Sequence, residues 1–121
     1  FIARGLAQGP KVLLLDEPTS HLDITHQVGI LDLVRRLNRQ EGLTVVIILH
    51  DLNLASEYCD TIALIGNGTV HKCGPPADVL NYKGIEAVYK TVVIVRENPL
   101  SGKPFVLIVP EEVKEKCQKG S

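Results

Sequence analysis

The chain has 121 residues, close to the size of one domain, with 45% hydrophobic and 22% charged residues, which excludes a disordered or collagen-like polymer. Lys and Arg number 13 against 14 Asp and Glu, and aromatic residues make up 4%. With no basic excess to neutralise phosphates and few rings on which bases could stack, a broad nucleic-acid surface is excluded too.

Phe1 to Gln8 reads as the middle of a helix, because none of these residues is a Ser, Thr, Asp or Asn cap, and Gly9-Pro10 ends it. No Met occurs in the chain. Both features lead to the expectation that the chain is the C-terminal part of something longer. Val12-Leu13-Leu14-Leu15 is a continuous apolar run, the pattern of a parallel strand buried on both faces, and it stops at Asp16-Glu17-Pro18. Asp23 is placed to cap a helix over about Ile24 to Arg39, with Ile30, Leu33, Val34 and Leu37 as its apolar stripe. Gly42 closes that helix, and Thr44 to Leu49 forms a second buried strand that ends at His50-Asp51. A short helix follows through Leu52, Leu54, Ala55 and Tyr58.

Beyond it the pattern changes. Gly66-Asn67-Gly68 between two apolar runs predicts a tight hairpin. Short helices are expected at Ala77 to Leu80 and Ile85 to Tyr89, then a second hairpin from Val92 to Val95 and Phe105 to Val109. The domain plan is therefore one partial domain: an α/β part over 1–60, a hairpin-rich extension over 61–110 and a charged tail over 111–121. Cysteines at 59, 73 and 117 include no Cys-x-x-Cys pair and read as reduced thiols. His71 reads as a solvated hairpin residue.

In open α/β sheets, chemistry gathers at the carboxyl ends of parallel strands. Both predicted strands end there in polar residues, Asp16-Glu17 and His50-Asp51. A carboxylate at Asp16 suits Mg²⁺, which favours oxygen ligands. The next residue, Glu17, points elsewhere and can orient or deprotonate a water attacking a γ-phosphate. His50 can hydrogen-bond that phosphate.

Val12 to Pro18 resembles the Walker B segment of ABC transporter ATP-binding subunits. Thr19-Ser20-His21-Leu22-Asp23 resembles their D-loop, and Leu49-His50-Asp51 their switch-histidine region. The resemblance implies an incomplete P-loop NTPase-type parallel sheet followed by β-hairpins. It implies Asp16 as the magnesium carboxylate, Glu17 as catalytic base and His50 as γ-phosphate sensor. Ser20 and Asp23 would lie in a loop crossing the interface between two ATP-binding subunits. The implied cofactors are ATP and Mg²⁺. The implied partners are a second ATP-binding subunit, transmembrane permease subunits and, indirectly, a periplasmic or extracellular solute-binding protein, and the implied place of the ATP-binding subunit is the cytoplasmic face of the membrane. His21 to Ile24 with His26-Gln27, His50 to Ala55, and Asn98 to Pro104 further resemble importers of iron chelates, haem and cobalamin.

The sequence departs from the family in one large respect. It contains no Gly-x-x-x-x-Gly-Lys-Ser/Thr phosphate loop, and the signature and Gln-bearing loops are missing as well. Gly102-Lys103 is followed by Pro104 and has no glycine cradle. The parent protein is thus expected to be a transport-coupled ATPase. The chain alone is expected to be inactive and prone to self-association through unpaired strand edges. Two other readings compete. A receiver-like phosphoacceptor domain would use Asp16 and Lys103, but no acidic residue precedes Asp16, and Lys103 lies in a turn-rich segment. A non-catalytic dimerisation piece is the third.

Overall fold

A computed structural model of the chain describes residues 12–112. These fall into two compact units, one ending at His50 and the other beginning at Asp51.

In the first unit, β1 (Val12–Asp16) and β2 (Thr44–Ile48) pair in parallel, with Val12 opposite Thr44 and Asp16 opposite Ile48. The crossover between them is α1 (Ile24–Glu41). Asp23 caps its N-terminus by accepting the His26 N–H, and Gly42 ends it at φ 65°. That left-handed conformation is free of cost to glycine alone. Asn38 Nδ2 then donates to the Leu43 carbonyl at 2.7 Å, tying the last turn to the start of β2.

Leu13, Leu15, Val34 and Leu43 form the core of this unit, with Ile30, Leu37, Val45 and Ile47 against them. The stripe of α1 is rotated slightly from the predicted one: Leu31 is buried, whereas Leu33 is 39% exposed. At about 100° per residue, Leu33 falls to one side of the face centred on Leu31 and Val34. The strands also differ from expectation. Leu13 and Leu15 are buried, but Val12 and Leu14 are 57% and 67% exposed. Successive strand side chains alternate between faces. Among the described residues of this unit, α1 is the one element packed on the pair, so it covers one of those faces.

The second unit contains α2 (Leu52–Tyr58), β3 (Ile62–Gly66), β4 (Thr69–Gly74), α3 (Pro76–Val79), α4 (Tyr82–Tyr89), β5 (Val93–Glu97) and β6 (Pro104–Ile108). β3 and β4 form an antiparallel hairpin, and so do β5 and β6. At the first turn Asn67 and Gly68 adopt φ 52° and 76°, the two left-handed residues that match the twist of a tight hairpin. His71 is exposed, yet its Nε2 folds back to the Gly66 carbonyl at 3.1 Å. Ile62, Leu64, Val79, Leu80, Ile85, Val93 and Val106 form one core, shared by both hairpins and the helices α3 and α4.

The architecture is α/β, as the sequence predicts: a parallel pair with a helical crossover, then hairpins. The helix expected over Phe1 to Gln8, Cys117 and most of the charged tail lie outside the described residues.

Candidate functional site

β1 and β2 end side by side, with Asp16 in register with Ile48. One residue further, the Glu17 N–H donates to the Ile48 carbonyl at 2.9 Å and so extends the ladder past the strand. Glu17 has φ 48°. A residue carrying a β-carbon enters that region at a cost of about 1–2 kcal/mol, and such strain is characteristically kept where a side chain must be aimed.

The turn that follows is tightly tied. The Ser20 N–H donates to the Glu17 carbonyl at 3.2 Å and the Leu22 N–H to the Thr19 carbonyl at 3.3 Å. Thr19 is buried and its carbonyl accepts from Gln27 Nε2 of α1 at 3.5 Å. Held this way, Glu17 meets His50 beyond the end of β2: Glu17 Oε1 contacts His50 Nε2. An ionised carboxylate only accepts, so a hydrogen bond between them requires a proton on Nε2. The His50 side chain is 79% exposed and that of Glu17 33%, which leaves the pair open to a polar molecule from solvent.

The structure thus brings Glu17 and His50 together beside Asp16, which is exposed at the end of β1. Ser20 is exposed on the turn, and Asp23 stands at the start of α1. The Asp23 carboxylate accepts from the His26 N–H at 2.9 Å and pairs with His26 Nδ1 at 2.7 Å. The backbone bond first, and the ring contact second, hold its carboxyl below the usual 3.8. In the sequence His26 stands in a segment that resembles the importers, and its pairing with Asp23 is not read there. The available signal is the spacing of a cap residue and the third helical position, whose groups bond reciprocally in known capping patterns. Nothing in the sequence signals the left-handed backbone at Glu17.

Among the described residues, no three His, Cys, Asp or Glu side chains cluster closely enough to hold a metal by themselves. The exposed Asp16 carboxylate nonetheless fits Mg²⁺, which takes one or two protein carboxylates and completes its shell with water and phosphate. No helix among the described residues is long and apolar enough to cross a membrane.

No protein-family profile matches the chain. Curated proteins do. It is 42% identical over 118 residues to the uncharacterised ABC transporter ATP-binding protein YvrA of Bacillus subtilis, covering 98% of this chain and 27% of that protein. It is 50% identical to the achromobactin transport ATP-binding protein CbrD of Dickeya dadantii, over 76% of this chain and 33% of that one. The chain is a homologue of ABC transporter ATP-binding subunits. The cobalamin import ATP-binding protein BtuD of Halobacterium salinarum is a third such relative, at 43% identity over 92% of this chain and 28% of that one. The chain therefore spans about a third or less of the length of these curated relatives.

Solved structures give the same fold. A metal-chelate type ABC transporter in an inward-facing conformation superposes with a TM-score of 0.82 over 93% of this chain and 46% of that one, at 24% identity. The ATP-binding cassette MJ0796, a dimer bound to ADP and Pi, superposes with a TM-score of 0.55 at 36% identity, over 61% of this chain and 32% of that one. The two hairpins and the parallel pair are thus part of a P-loop NTPase-type ABC ATPase fold.

Proposed function

We propose that this chain supplies the magnesium carboxylate, catalytic base and switch histidine of an ATP-binding subunit that drives an ABC importer. The contact between Glu17 Oε1 and His50 Nε2, at the carboxyl end of two parallel strands, is the observation that supports this most directly.

Asp16 would hold Mg²⁺, which when bound with nucleotide supplies charge neutralisation on the phosphates. Glu17 accepts a proton from the attacking water at a carboxylate oxygen, and its constrained backbone fixes where that oxygen lies. His50 carries its proton on Nε2 and donates it as a hydrogen bond to a γ-phosphate oxygen. Because Glu17 is the group that already faces that proton, base and sensor act on neighbouring atoms. Ser20 and Asp23, on the turn after the base and at the start of α1, belong to the loop that faces a second ATP-binding subunit. A dimeric cassette among the structural relatives supports that arrangement.

The solute class is an iron chelate, haem or cobalamin. The names of the relatives for achromobactin and cobalamin support it, as does the metal-chelate type of the structural neighbour. Permease subunits and, indirectly, a periplasmic or extracellular solute-binding protein would complete the assembly, with the ATP-binding subunits at the cytoplasmic face of the membrane. The 121-residue chain by itself, carrying no phosphate loop, neither binds ATP tightly nor hydrolyses it. Among the described residues of the first unit, Val12 and Leu14 are exposed and β1–β2 is a two-stranded sheet, which favours self-association.

A chimera tests the reading. The upstream portion of CbrD is joined to this chain in place of the matched region. It is expected to hydrolyse ATP, and Glu17→Gln to slow the reaction by about 10²–10⁴-fold, the scale of general base catalysis, with nucleotide binding retained. Turnover by the 121-residue chain alone, lost in Glu17→Gln, would overturn its proposed inactivity. An active chimera indifferent to Glu17→Gln would overturn the assignment of the base.

A further inference from the structure

The asparagines of the chain are Asn38, Asn53, Asn67, Asn81 and Asn98, and the fold treats one of them differently. Asn38 Nδ2 donates to the Leu43 carbonyl at 2.7 Å. Asn53 bonds both backbone groups of Val106, accepting its N–H at 2.7 Å and donating to its carbonyl at 3.1 Å. Asn81 accepts the Gly84 N–H at 2.8 Å and donates to the Asp78 carbonyl at 2.9 Å. Asn98 accepts the Leu100 N–H at 2.8 Å and donates to Glu57 Oε1 at 3.0 Å. Each of these amides is held by the backbone or side chain it ties down.

Asn67 is exposed on the turn between β3 and β4, and among the described residues its side-chain amide has no partner. The residue after it differs as well. Asn38, Asn53 and Asn81 precede Arg39, Leu54 and Tyr82, whose side chains shield the following nitrogen, and Asn98 precedes Pro99, which has no N–H. Asn67 precedes Gly68, which is exposed, bears no side chain, and has an N–H that no described residue accepts. The requirement for two left-handed residues selects this Asn-Gly pair for the turn. The same pair leaves a free carboxamide beside an unshielded amide nitrogen, and asparagine is a thermolabile residue.

We propose that Asn67-Gly68 is a site of spontaneous covalent modification, at which the Gly68 nitrogen closes on Asn67 Cγ. A bond forms between that nitrogen and Cγ, the Cγ–Nδ2 bond breaks, and the Gly68 amide proton leaves with Nδ2 as ammonia. Water, the one co-reactant, then opens the cyclic imide. Attack at Cγ restores the ordinary backbone and leaves an aspartate at position 67. Attack at the Asn67 backbone carbonyl carbon leaves the chain running through Cβ and Cγ, longer by a methylene.

The two products act differently on the hairpin. An aspartate tolerates the left-handed region and adds a negative charge at neutral pH. The lengthened chain changes the loop that fixes the register, in which Gly66 stands opposite Thr69. The Gly66 carbonyl accepts from Thr69 Oγ1 at 3.0 Å and faces His71 Nε2 at 3.1 Å, so both contacts depend on that loop. A β-carbon at Gly66 would stand 3.0 Å from Val88 Cγ1, which places the turn close against α4, where Val88 packs on the core. The site lies within the second unit, and its chemistry is independent of the ATPase reading.

The test uses the full chain held in mildly alkaline buffer, with and without urea, and peptide fragmentation by mass spectrometry. In the folded chain Asn67 is expected to show the mass gain of amide-to-acid exchange ahead of Asn38, Asn53, Asn81 and Asn98. Acid at Asn67 that forms only in urea would show that the folded turn shields it and would overturn the proposal, as would earlier reaction at any other asparagine. Asn67→Gly keeps a left-handed turn without the carboxamide, and is expected to lose the mass gain at the turn. A second, shifted set of His71 imidazole NMR resonances is expected to grow in the aged chain and to be absent from Asn67→Asp, which reproduces the α-linked product alone. A chain modified at Asn67 whose His71 resonances match those of Asn67→Asp would overturn the loss of register.

Discussion

Glu17 Oε1 and His50 Nε2 meet beyond the ends of two parallel strands, and neither residue belongs to a strand. The contact depends on a left-handed backbone at Glu17 that costs the folded chain free energy.

Glu17→Gly follows from that cost. Glycine adopts φ 48° without strain, and the exposed contact with His50 is worth little to stability. The substitution is therefore expected to stabilise the first unit by about 0.5–1 kcal/mol. In the ATP-hydrolysing chimera it is expected to abolish turnover. Urea-induced unfolding followed by circular dichroism, beside phosphate release, measures both effects. A loss of stability in Glu17→Gly would mean that the turn is held by the carboxylate and not in spite of it.

Asp23 makes a pH-dependent contribution. The His26 backbone bond, and then the ring contact, lower its folded-state pKa below the usual 3.8. Folding therefore favours the ionised form. The contribution is fully present above the unfolded value and fades as pH falls through the lower folded one. Asp23→Ala is expected to lower the melting temperature by a few degrees at neutral pH, with the difference from the native chain narrowing below the usual 3.8. A gap that stays constant into strong acid would exclude the carboxylate as its source.

Gly84 and Gly29 make a matched pair, since both lie inside helices. A β-carbon at Gly84 would stand 2.7 Å from the Val79 carbonyl oxygen, whereas one at Gly29 meets nothing within 4 Å. Gly84→Ala is expected to destabilise by about 1–3 kcal/mol through overpacking against backbone. Gly29→Ala is expected to stabilise by about 0.5–1 kcal/mol through helix propensity. Opposite shifts in the urea midpoints would bear this out, and equal shifts would remove the steric argument.

Much of the placement of the candidate site was legible in the linear order of residues. The buried run ending in Asp16-Glu17 and the later run ending in His50 declared two neighbouring strand ends, because parallel strands place their carboxyl ends together. What could not be read was the aim of each side chain. Asp23 was recognisable as a cap, but its pairing with the His26 ring depends on rotamers. Leu33 looked as apolar as Val34, and their different exposure follows from which face of α1 rests on β1 and β2.

The sequence by itself determined the local elements and their order: the Asp23 cap, the Gly42 stop, the Asn67-Gly68 turn, and the motif order that resembles ABC ATP-binding subunits. These act within a few residues through torsional preference, capping and side-chain period, so they survive without knowledge of the fold. The tertiary structure alone decided the turn that carries Glu17 to His50, the burial of Leu13 and Leu15 beside the exposed Val12 and Leu14, and the bond of Asn53 to Val106 across 53 positions of chain. Each depends on which backbone groups are left unpaired once the elements pack, and that is set by partners distant in the sequence.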